Sequence, residues 1–520
     1  MPGFVERLIG VSRRVLSRAD AAANRLYTWR YNPLYHSGAI AIVMLVILLV
    51  TGVWLLFLYR LSDPWGSIVR VNGQWWAGRW MRALHRYAGD AGLVAVGVHA
   101  FRMLAQGRSW GPRALAWVSG AVLAGVFLVA GWTGYVMVWD TQAQLLAIEG
   151  ARLLDLLPIF SEPIGRTFVG ERPLPDAFFF LNLFAHVALP VGLLLALWIH
   201  TSRLARPALF PPRGLTWGLV AGLFLLSVVW PAALGPAADL YRVPTDAPLD
   251  VFYGFWLPFA ARAPAVVTAG TGAGLALLVL LVPWWTRPAA ARRPTKSVVE
   301  ARFCTGCEQC YLDCPYEAIS MVARTDGRAT PVALVDPSLC VGCGVCTGSC
   351  APMGVGPAQR TGRDQLAGTR AFLARARPGA EDVVVVACRN SAVSPDDDID
   401  GSPLLRVSCA GNLHTSTVEL LVRSGVEGVL VVSCPPRDCW SREGPKWLEQ
   451  RLYHEREAEL NPRVDRERVR LVYAGAAEAE VVRRLLRAFR ASLATLGRAR
   501  AEGAIDLVAS CERDETEVGA

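Results

Sequence analysis

At 520 residues, 53% of them hydrophobic, and with a mean hydropathy of +0.32, the chain is long enough for two or three domains and too apolar to be soluble throughout, so a membrane part is expected. The net charge of +9 would admit nucleic acid as a partner. However, the Arg residues of the apolar half fall mostly between apolar segments, where a membrane protein keeps its cytoplasmic loops, which argues against nucleic acid. All 13 cysteines lie at or after Cys304; the apolar half therefore has no C-x-x-C-H for covalent haem and must hold any cofactor through other side chains.

The N-terminus is Arg-rich without a continuous apolar stretch, so no cleavable signal peptide is expected. Residues 4–26 put Phe4, Leu8, Val11, Val15, Ala19, Ala22 and Leu26 at three- and four-residue spacing, with Arg7, Arg14, Arg18 and Arg25 on other faces. That pattern predicts an amphipathic helix on an anionic leaflet; the alternative is a helix packed on protein. Six apolar segments follow, near 38–59, 83–104, 115–138, 180–201, 215–235 and 263–286, each long enough to cross about 30 Å of hydrocarbon. Arg102, Arg108 and Arg113 follow the second, Arg203, Arg206 and Arg213 the fourth, and Arg287, Arg292, Arg293 and Lys296 the sixth. The 140–178 connection instead carries Asp140, Glu149, Asp155, Glu162, Glu171 and Asp176. The positive-inside rule then predicts a multi-pass protein of the cytoplasmic membrane, with both termini and the cysteine-rich half cytoplasmic.

The second segment carries His85 and His99, and the fourth His186 and His200. Each pair is 14 residues apart, about 21 Å along a helix and nearly four whole turns, so both imidazoles share one face at two membrane depths. Intramembrane His is costly and usually functional. Two matched pairs predict two stacked bis-imidazole sites, His85 with His186 and His99 with His200, each suited to a b-type haem. Interhelical hydrogen bonding is the plainer alternative. Gly38 and Gly52 in the first segment, and Gly120 and Gly134 in the third, repeat the same spacing, so they either leave room for flat macrocycles or merely pack helices. Arg82 and Arg102 are placed to pair with haem propionates, or to anchor the helix at the interface.

Asn32-Pro-Leu-Tyr35, Arg82-Ala-Leu-His85-Arg86, His99-Ala-Phe-Arg102, Trp117-Val-Ser-Gly120, Gly134-Tyr135-Val-Met-Val-Trp139-Asp140 and His186-Val-Ala-Leu-Pro190 together resemble cytochrome b of the quinol-oxidising bc-type complexes, most of all the chloroplast and cyanobacterial subunit. The resemblance covers about residues 30–290. It implies a four-helix, two-haem bundle with quinone pockets near each membrane face. Three positions depart from it. The family's Pro-Glu-Trp-Tyr stretch, whose Glu takes a quinol proton, falls near Pro248-Leu-Asp250-Val-Phe-Tyr253-Gly254-Phe255-Trp256, leaving Asp250 as the candidate proton acceptor. Val138 stands where a proline of the G-Y-x-L-P-W-type motif would be. His36 takes the place of the Cys that anchors an extra haem in the chloroplast-type subunit; it is a candidate quinone or haem contact, or a plain interfacial His. The sequence also contains no Rieske-type segment, which speaks against bifurcating quinol oxidation.

A short linker at 287–300 leads to Cys304-Thr-Gly-Cys307-Glu-Gln-Cys310-Tyr-Leu-Asp-Cys314-Pro315 and then to Cys340-Val-Gly-Cys343-Gly-Val-Cys346-Thr-Gly-Ser-Cys350-Ala. Two C-x2-C-x2-C-x3-C runs suit two 4Fe–4S clusters, because three close thiolates take three irons of one cluster and the fourth crosses to the other. Cys304, Cys307, Cys310 and Cys350 are thus assigned to one cluster, and Cys340, Cys343, Cys346 and Cys314 to the second. Disulfides or zinc sites are the rivals. The segment resembles a bacterial two-cluster ferredoxin, with Pro315 after Cys314 and the second such proline displaced to Pro352.

After a connector at 353–380, the β-branched runs Val383–Ala387, Leu404–Ser408, Gly428–Ser433 and Val469–Ala474, with helical patterns near 413–424, 443–458 and 476–494, predict a parallel α/β sheet. Cys388, Cys409 and Cys434 end strands and Cys439 follows, so four thiols meet at the carboxyl edge, where such sheets place their sites. A 2Fe–2S cluster is expected, with zinc or inert buried cysteines as alternatives. The runs Val383-Val-Val-Val-Ala-Cys388, Val407-Ser-Cys409-Ala-Gly and Gly428-Val-Leu-Val-Val-Ser-Cys434-Pro-Pro-Arg-Asp438-Cys439 resemble the small iron–sulfur subunit of methyl-viologen-reducing hydrogenase. That resemblance implies a docking flavoprotein like the flavin subunit of heterodisulfide reductase. The family's second Cys beside the first is missing, Trp440 replaces a frequent His, and Glu443-Gly444-Pro445 approximates its Gly-Asn. Cys511, among Glu512, Asp514 and Glu515, has no obvious partner.

The expected fold class is a membrane all-α part, a six-helix cytochrome b bundle, followed by an α+β two-cluster ferredoxin segment and an α/β parallel-sheet domain. The boundaries fall at 1–30, 31–290, 301–356, 381–495 and an acidic tail at 496–520. The expected function is electron transfer between the quinone pool and a soluble flavoprotein, through two b-type haems, two 4Fe–4S clusters and one 2Fe–2S cluster, in contact with membrane lipid and further subunits. The competing expectation is a conduit without its own quinone site, serving a separate reductase or dehydrogenase; a redox sensor lacks a signalling domain.

Overall fold

The computed structural model describes residues 2–158, 163–168, 174–202, 207–242, 244, 250–290, 293–393, 399–454, 456 and 458–496. Glu162, Glu171, Arg203, Arg206, Pro248, Arg292 and the tail with Cys511 lie outside them. Two compact units form, one from Met1–Arg13 and His36–Arg287, the other from Arg14–Tyr35 and Pro288 onward.

Helix α1 (Pro2–Tyr31) kinks at Thr28, whose φ of 60° is left-handed. Phe4, Leu8, Val11, Val15, Ala19, Ala22 and Leu26 are all exposed, whereas Ser12, Leu16, Asp20, Ala21 and Asn24 are buried. The buried face is therefore a mixed one, away from the apolar stripe. It is held by Asn32, which donates to Asn24 Oδ1 at 2.7 Å and to the Asp20 carbonyl at 3.2 Å, and by Asn24, which donates to the Tyr35 hydroxyl at 3.0 Å.

The first unit continues with α2 (Ser37–Leu56), α3 (Pro64–Gly73), α4 (Gly78–Ala105), α5 (Ala114–Val136), α6 (Thr141–Leu154), α7 (Asp176–Ser202), α8 (Arg213–Val229), α9 (Leu257–Ala260), α10 (Ala265–Leu280) and α11 (Val282–Trp285). Each of the six expected segments contains a helix. Among the described residues three helices are long and apolar enough to cross a membrane, Pro33–Leu56, Gly111–Val136 and Asp176–Ser202, and two shorter apolar ones are α8 and α10. Helix α8 stops six residues before the expected end because Pro231 cannot continue it, and Pro283 separates α10 from α11. The packing pairs α2 with α4 and α5 with α7. Ile40, Val43 and Met44 of α2 meet Ala88 and Ala95 of α4 in one core. The outward faces keep Val46, Val50 and Val53, Phe180, Phe184 and Trp198, and Leu275 and Leu278 exposed, as lipid-facing surface requires. In the 140–178 connection, Asp140 caps α6 by accepting from Ala143 N at 2.9 Å.

The second unit holds a ferredoxin segment of two antiparallel pairs: β1 (Ser297–Val299) with β4 (Val355–Pro357), and β2 (Ile319–Val322) with β3 (Val332–Val335). Short helices α12 (Gln309–Leu312) and α13 (Val345–Gly348) each hold one cysteine of a run, Cys310 and Cys346. The 353–380 stretch is not a plain connector. It contains helix α14 (Gly362–Ala376), opened by a capping box in which Thr361 and Asp364 exchange hydrogen bonds, with Phe372 buried. Strands β5 (Val383–Cys388), β6 (Leu404–Val407), β7 (Gly428–Ser433) and β8 (Val469–Tyr473) form one parallel sheet in the order β6-β5-β7-β8. Helices α15 (Thr415–Arg423), α16 (Gly444–Tyr453) and α17 (Ala479–Ala494) cover it. Val384 and Val386 face one core and Val383 and Val385 the other, which explains the unbroken apolar runs.

Candidate functional site

The four membrane histidines and four glycines match one to one. A side chain begun at Gly38 or Gly52 of α2 would meet His99 Nδ1 at 2.8 Å or His85 Cε1 at 3.2 Å. At Gly120 or Gly134 of α5 it would meet His200 Cε1 at 3.3 Å or His186 Cε1 at 2.7 Å. The glycines thus make room first for the imidazole rings, by close approach of α2 to α4 and of α5 to α7. Across the bundle the His85 and His186 ring centres stand 6.2 Å apart with no ring stacking. Two imidazoles bound to one iron from opposite sides would be separated by roughly 6 Å, twice the sum of a metal–nitrogen bond of about 2 Å and the distance of about 1 Å from nitrogen to ring centre. The donors therefore fit an axially held b-type haem. The other pair is close enough for His200 to act electrostatically on His99.

Sequence reasoning missed the hydroxyl residue before each of three glycines. Thr51 donates to the Ile47 carbonyl at 2.6 Å, Ser119 to Ala116 at 3.2 Å and Thr133 to Ala130 at 2.8 Å. Each hydroxyl has only one proton; with that proton on the carbonyl, its contact with an imidazole Nδ1, at 2.9 Å for His85, 2.9 Å for His200 and 3.1 Å for His186, is N–H donating to O. His186 Nδ1 also lies 2.9 Å from the Ala130 carbonyl. The tautomer so selected leaves Nε2 with its lone pair, as iron ligation requires. The signal was visible as Thr51-Gly52, Ser119-Gly120 and Thr133-Gly134, with Ser37-Gly38 in the fourth place.

In the ferredoxin segment Cys304, Cys307, Cys310 and Cys350 line one cavity, and Cys314, Cys340, Cys343 and Cys346 a second. These are the two sets expected from the crossed spacing. Among the described residues no three His, Cys, Asp or Glu side chains converge as on a single metal ion, whereas cluster thiolates sit apart because each bonds its own iron. Hydrogen-bond donors already point at the sulfurs: Gly354 N at Cys350 Sγ (3.2 Å), Gly342 N at Cys340 Sγ (3.4 Å) and Ala318 N at Cys314 Sγ (3.4 Å). Such donors favour thiolate and suit cluster ligation.

On the α/β sheet, Cys388, Cys409, Cys434 and Cys439 are all buried. Their thiols form a closed ring of neighbours, Cys388 to Cys409, Cys409 to Cys439, Cys439 to Cys434 and Cys434 to Cys388. Hydrogen bonds from Cys388 and Cys439 hold Cys409 well below the usual thiol value. Gly444 opens α16 against this site, where a side chain would come 2.9 Å from Cys409 Sγ and 3.3 Å from Cys439 Sγ.

Residues 24–207 match the family Cytochrome b/b6/petB. Over those residues the membrane part is a cytochrome b domain. Residues 303–354 match the 4Fe-4S dicluster domain, and residues 397–497 the methyl-viologen-reducing hydrogenase, delta subunit. Relatives of the cytochrome b domain include the menaquinol:cytochrome c reductase cytochrome b subunit of Geobacillus thermodenitrificans, 25% identical over 176 residues, which are 32% of this chain and 79% of that protein. Cytochrome b6 of Acaryochloris marina (strain MBIC 11017) is 27% identical over 188 residues, 35% of this chain and 85% of its own. A chain of the solved Hyperthermophilic respiratory Complex III is similar at a TM-score of 0.39 and 20% identity, covering 50% of this chain and 78% of that one. Joined in one polypeptide, the three domains make a membrane electron-transfer subunit.

Two other site candidates of the first unit, Arg82 and Asp250, have firm protein partners. Arg82 is buried, with Nε donating to Asn72 Oδ1 at 2.7 Å and a terminal nitrogen to the Ala232 and Ala233 carbonyls at 2.5 and 2.9 Å. Arg102 and His36 are buried as well. Asp250 accepts from Arg86 at 2.5 Å and from the Tyr135 hydroxyl through Oδ2, and from Phe252 N, Tyr253 N and Gly254 N through Oδ1. Burial pushes its carboxyl up, but the Tyr135 hydroxyl, the backbone donors and Arg86 outweigh that and hold it below the usual carboxylate value. Arg86 also pairs with Asp90 and lies over the Tyr135 ring at 4.4 Å.

Proposed function

We propose that this chain couples the membrane quinone pool to a cytoplasmic redox partner, a flavoprotein resembling the flavin subunit of heterodisulfide reductase. His85 and His186 hold one b-type haem, and His99 and His200 the second. The Cys304, Cys307, Cys310 and Cys350 set and the Cys340, Cys343, Cys346 and Cys314 set each hold a 4Fe–4S cluster. Cys388, Cys409, Cys434 and Cys439 hold a 2Fe–2S cluster. When bound, these groups supply one-electron exchange; the protein contributes ligands, tautomers, burial and distance. Arg82 and Arg102 serve the propionates, His36 a quinone or haem edge, and six spans put both termini and the clusters on the cytoplasmic side. The observation that carries the reading is the matching of four glycines to four imidazoles with an iron-sized gap between His85 and His186.

The conduit reading, without quinone chemistry, is favoured by Asp250, whose oxygens are all engaged and which is held ionised where the family's proton-accepting Glu would be. The test is a redox titration of the purified chain in detergent, following haem absorbance and cluster EPR with added menaquinol and ubiquinol analogues. Inhibitor-sensitive haem reduction by a quinol supports the quinone-linked reading. Haems that ignore every quinol support the conduit, and a chain that binds no haem defeats both.

A further inference from the structure

Between the second cysteine cavity and the α/β cysteine ring the ferredoxin segment and the α/β domain of the second unit meet around Asn412. Asn412, three residues after Cys409, donates to the Gly344 carbonyl at 3.0 Å and to the Arg360 carbonyl at 3.2 Å. Gly344 lies between Cys343 and Cys346 and has φ +78°; a side chain there would strike Asn412 Nδ2 at 2.5 Å. Two arginines bracket this contact. Arg360 donates to the Gly342 carbonyl at 2.9 Å and reaches Ser408 Oγ at 3.5 Å. Arg451, 1% exposed, donates to Ser349 Oγ at 3.0 Å and to the Gly411 carbonyl at 2.8 Å. Each guanidinium thus ties a backbone carbonyl in one domain to a serine hydroxyl in the other.

The charge balance at Arg451 is unusual. A fully buried cation is costly unless an anion answers it. The nearest carboxylate, Asp313, is already engaged by Arg456 at 2.6 Å and by the Ser349 hydroxyl at 2.6 Å, and Arg451 Nε has no hydrogen-bond partner. The other groups placed to answer the charge are cysteines, Cys409 and Cys346 for Arg451 and Cys343, Cys409 and Cys346 for Arg360, which become anionic as thiolate ligands of a cluster. Burial lowers Arg451 only to about 10, so it stays charged at neutral pH.

We propose that electrons pass between the ferredoxin segment and the α/β domain by exchange between the cluster on Cys314, Cys340, Cys343 and Cys346 and the cluster on Cys388, Cys409, Cys434 and Cys439, and that Arg451 and Arg360 set the potentials of both by holding positive charge at this junction. The inference rests on the iron–sulfur reading above. In each transfer one cluster loses one electron and the other gains it, with no proton moved. Added positive charge favours the reduced, more negative cluster, so the arginines raise both potentials.

The test is potentiometric EPR on the full-length holoprotein, with iron content measured alongside. Arg451→Gln should lower the midpoint of both junction clusters by at least a tenfold change in the one-electron equilibrium constant, about 59 mV. Arg360→Gln should act in the same direction, Arg451→Lys should restore most of the shift, and the Cys304-set cluster should move less. Should Arg451→Gln fail to retain iron, Asp313→Asn decides, since removing the opposing charge should raise the midpoints. Unmoved midpoints in iron-replete Arg451→Gln, or in Asp313→Asn, would overturn the proposal while leaving the cluster reading intact. A wild-type chain without these cluster signals would remove both.

Discussion

A methyl group at Gly134 would have to share space with His186 Cε1, and the same holds for Gly38 and His99. Forced overpacking costs about 1–3 kcal/mol where the neighbour cannot yield, and here it would turn a ligand ring away from its partner. Gly134→Ala and Gly38→Ala are each expected to lose one haem per chain in a pyridine haemochrome assay. Gly52→Ala and Gly120→Ala, with contacts at 3.2 and 3.3 Å, should retain most of theirs. Asp250 makes a second prediction at this scale. Its folded value lies below the ordinary carboxylate value of about 3.9, so its stabilising contribution is present above that pH and is lost as pH falls through the folded value. Removing one partner of a buried ion pair costs about 3–5 kcal/mol. Asp250→Asn should therefore lower the thermal midpoint by a constant amount above pH about 4, and the gap from wild type should close below it. A gap that instead varies around neutral pH would show a carboxyl that exchanges protons there, as a quinol proton acceptor must.

Among the elements, α1 argues most directly from composition to placement. Its apolar stripe could have packed on protein, yet the buried residues are Ser12, Leu16, Asp20, Ala21 and Asn24, and Phe4, Val11 and Val15 stay exposed; an anionic leaflet is the surface such a stripe would take. A spin label at Val15 in the full chain, reconstituted with anionic lipid, should be shielded from a water-soluble relaxant and accessible to oxygen. Val11→Asp should reverse that preference. Helix α14 shows a signal that was present and passed over: Thr361-x-x-Asp364 is a capping box inside a stretch that composition alone marks as a connector. Thr361→Ala should cost about 0.5–2 kcal/mol, visible as faster amide exchange confined to α14.

For the whole molecule, the three cysteine sets should separate chemically. Cys409→Ser is expected to remove the third cluster and leave the 4Fe–4S signals. Cys314→Ser should instead strip the cluster shared with Cys340, although Cys314 belongs to the other run, because the fold places Cys314 in the second cavity. Iron analysis with EPR of the two variants distinguishes these outcomes.

Much of this was legible in the sequence, because periodicity is local. The 14-residue spacing of His85 with His99 and of Gly38 with Gly52 follows from helical repeat alone, and the doubled cysteine runs identify their cofactor by spacing. Strand runs such as Val383–Val386 announced a sheet buried on both faces. What the sequence could not express is which atoms face each other across elements. Only the tertiary structure assigned each glycine to its imidazole, turned Thr51, Ser119 and Thr133 into acceptors that select the histidine tautomer, locked Asp250 against Arg86, and buried Arg451 between two cysteine sets. Those outcomes depend on contacts between residues far apart in the chain, and no local pattern encodes such a distance.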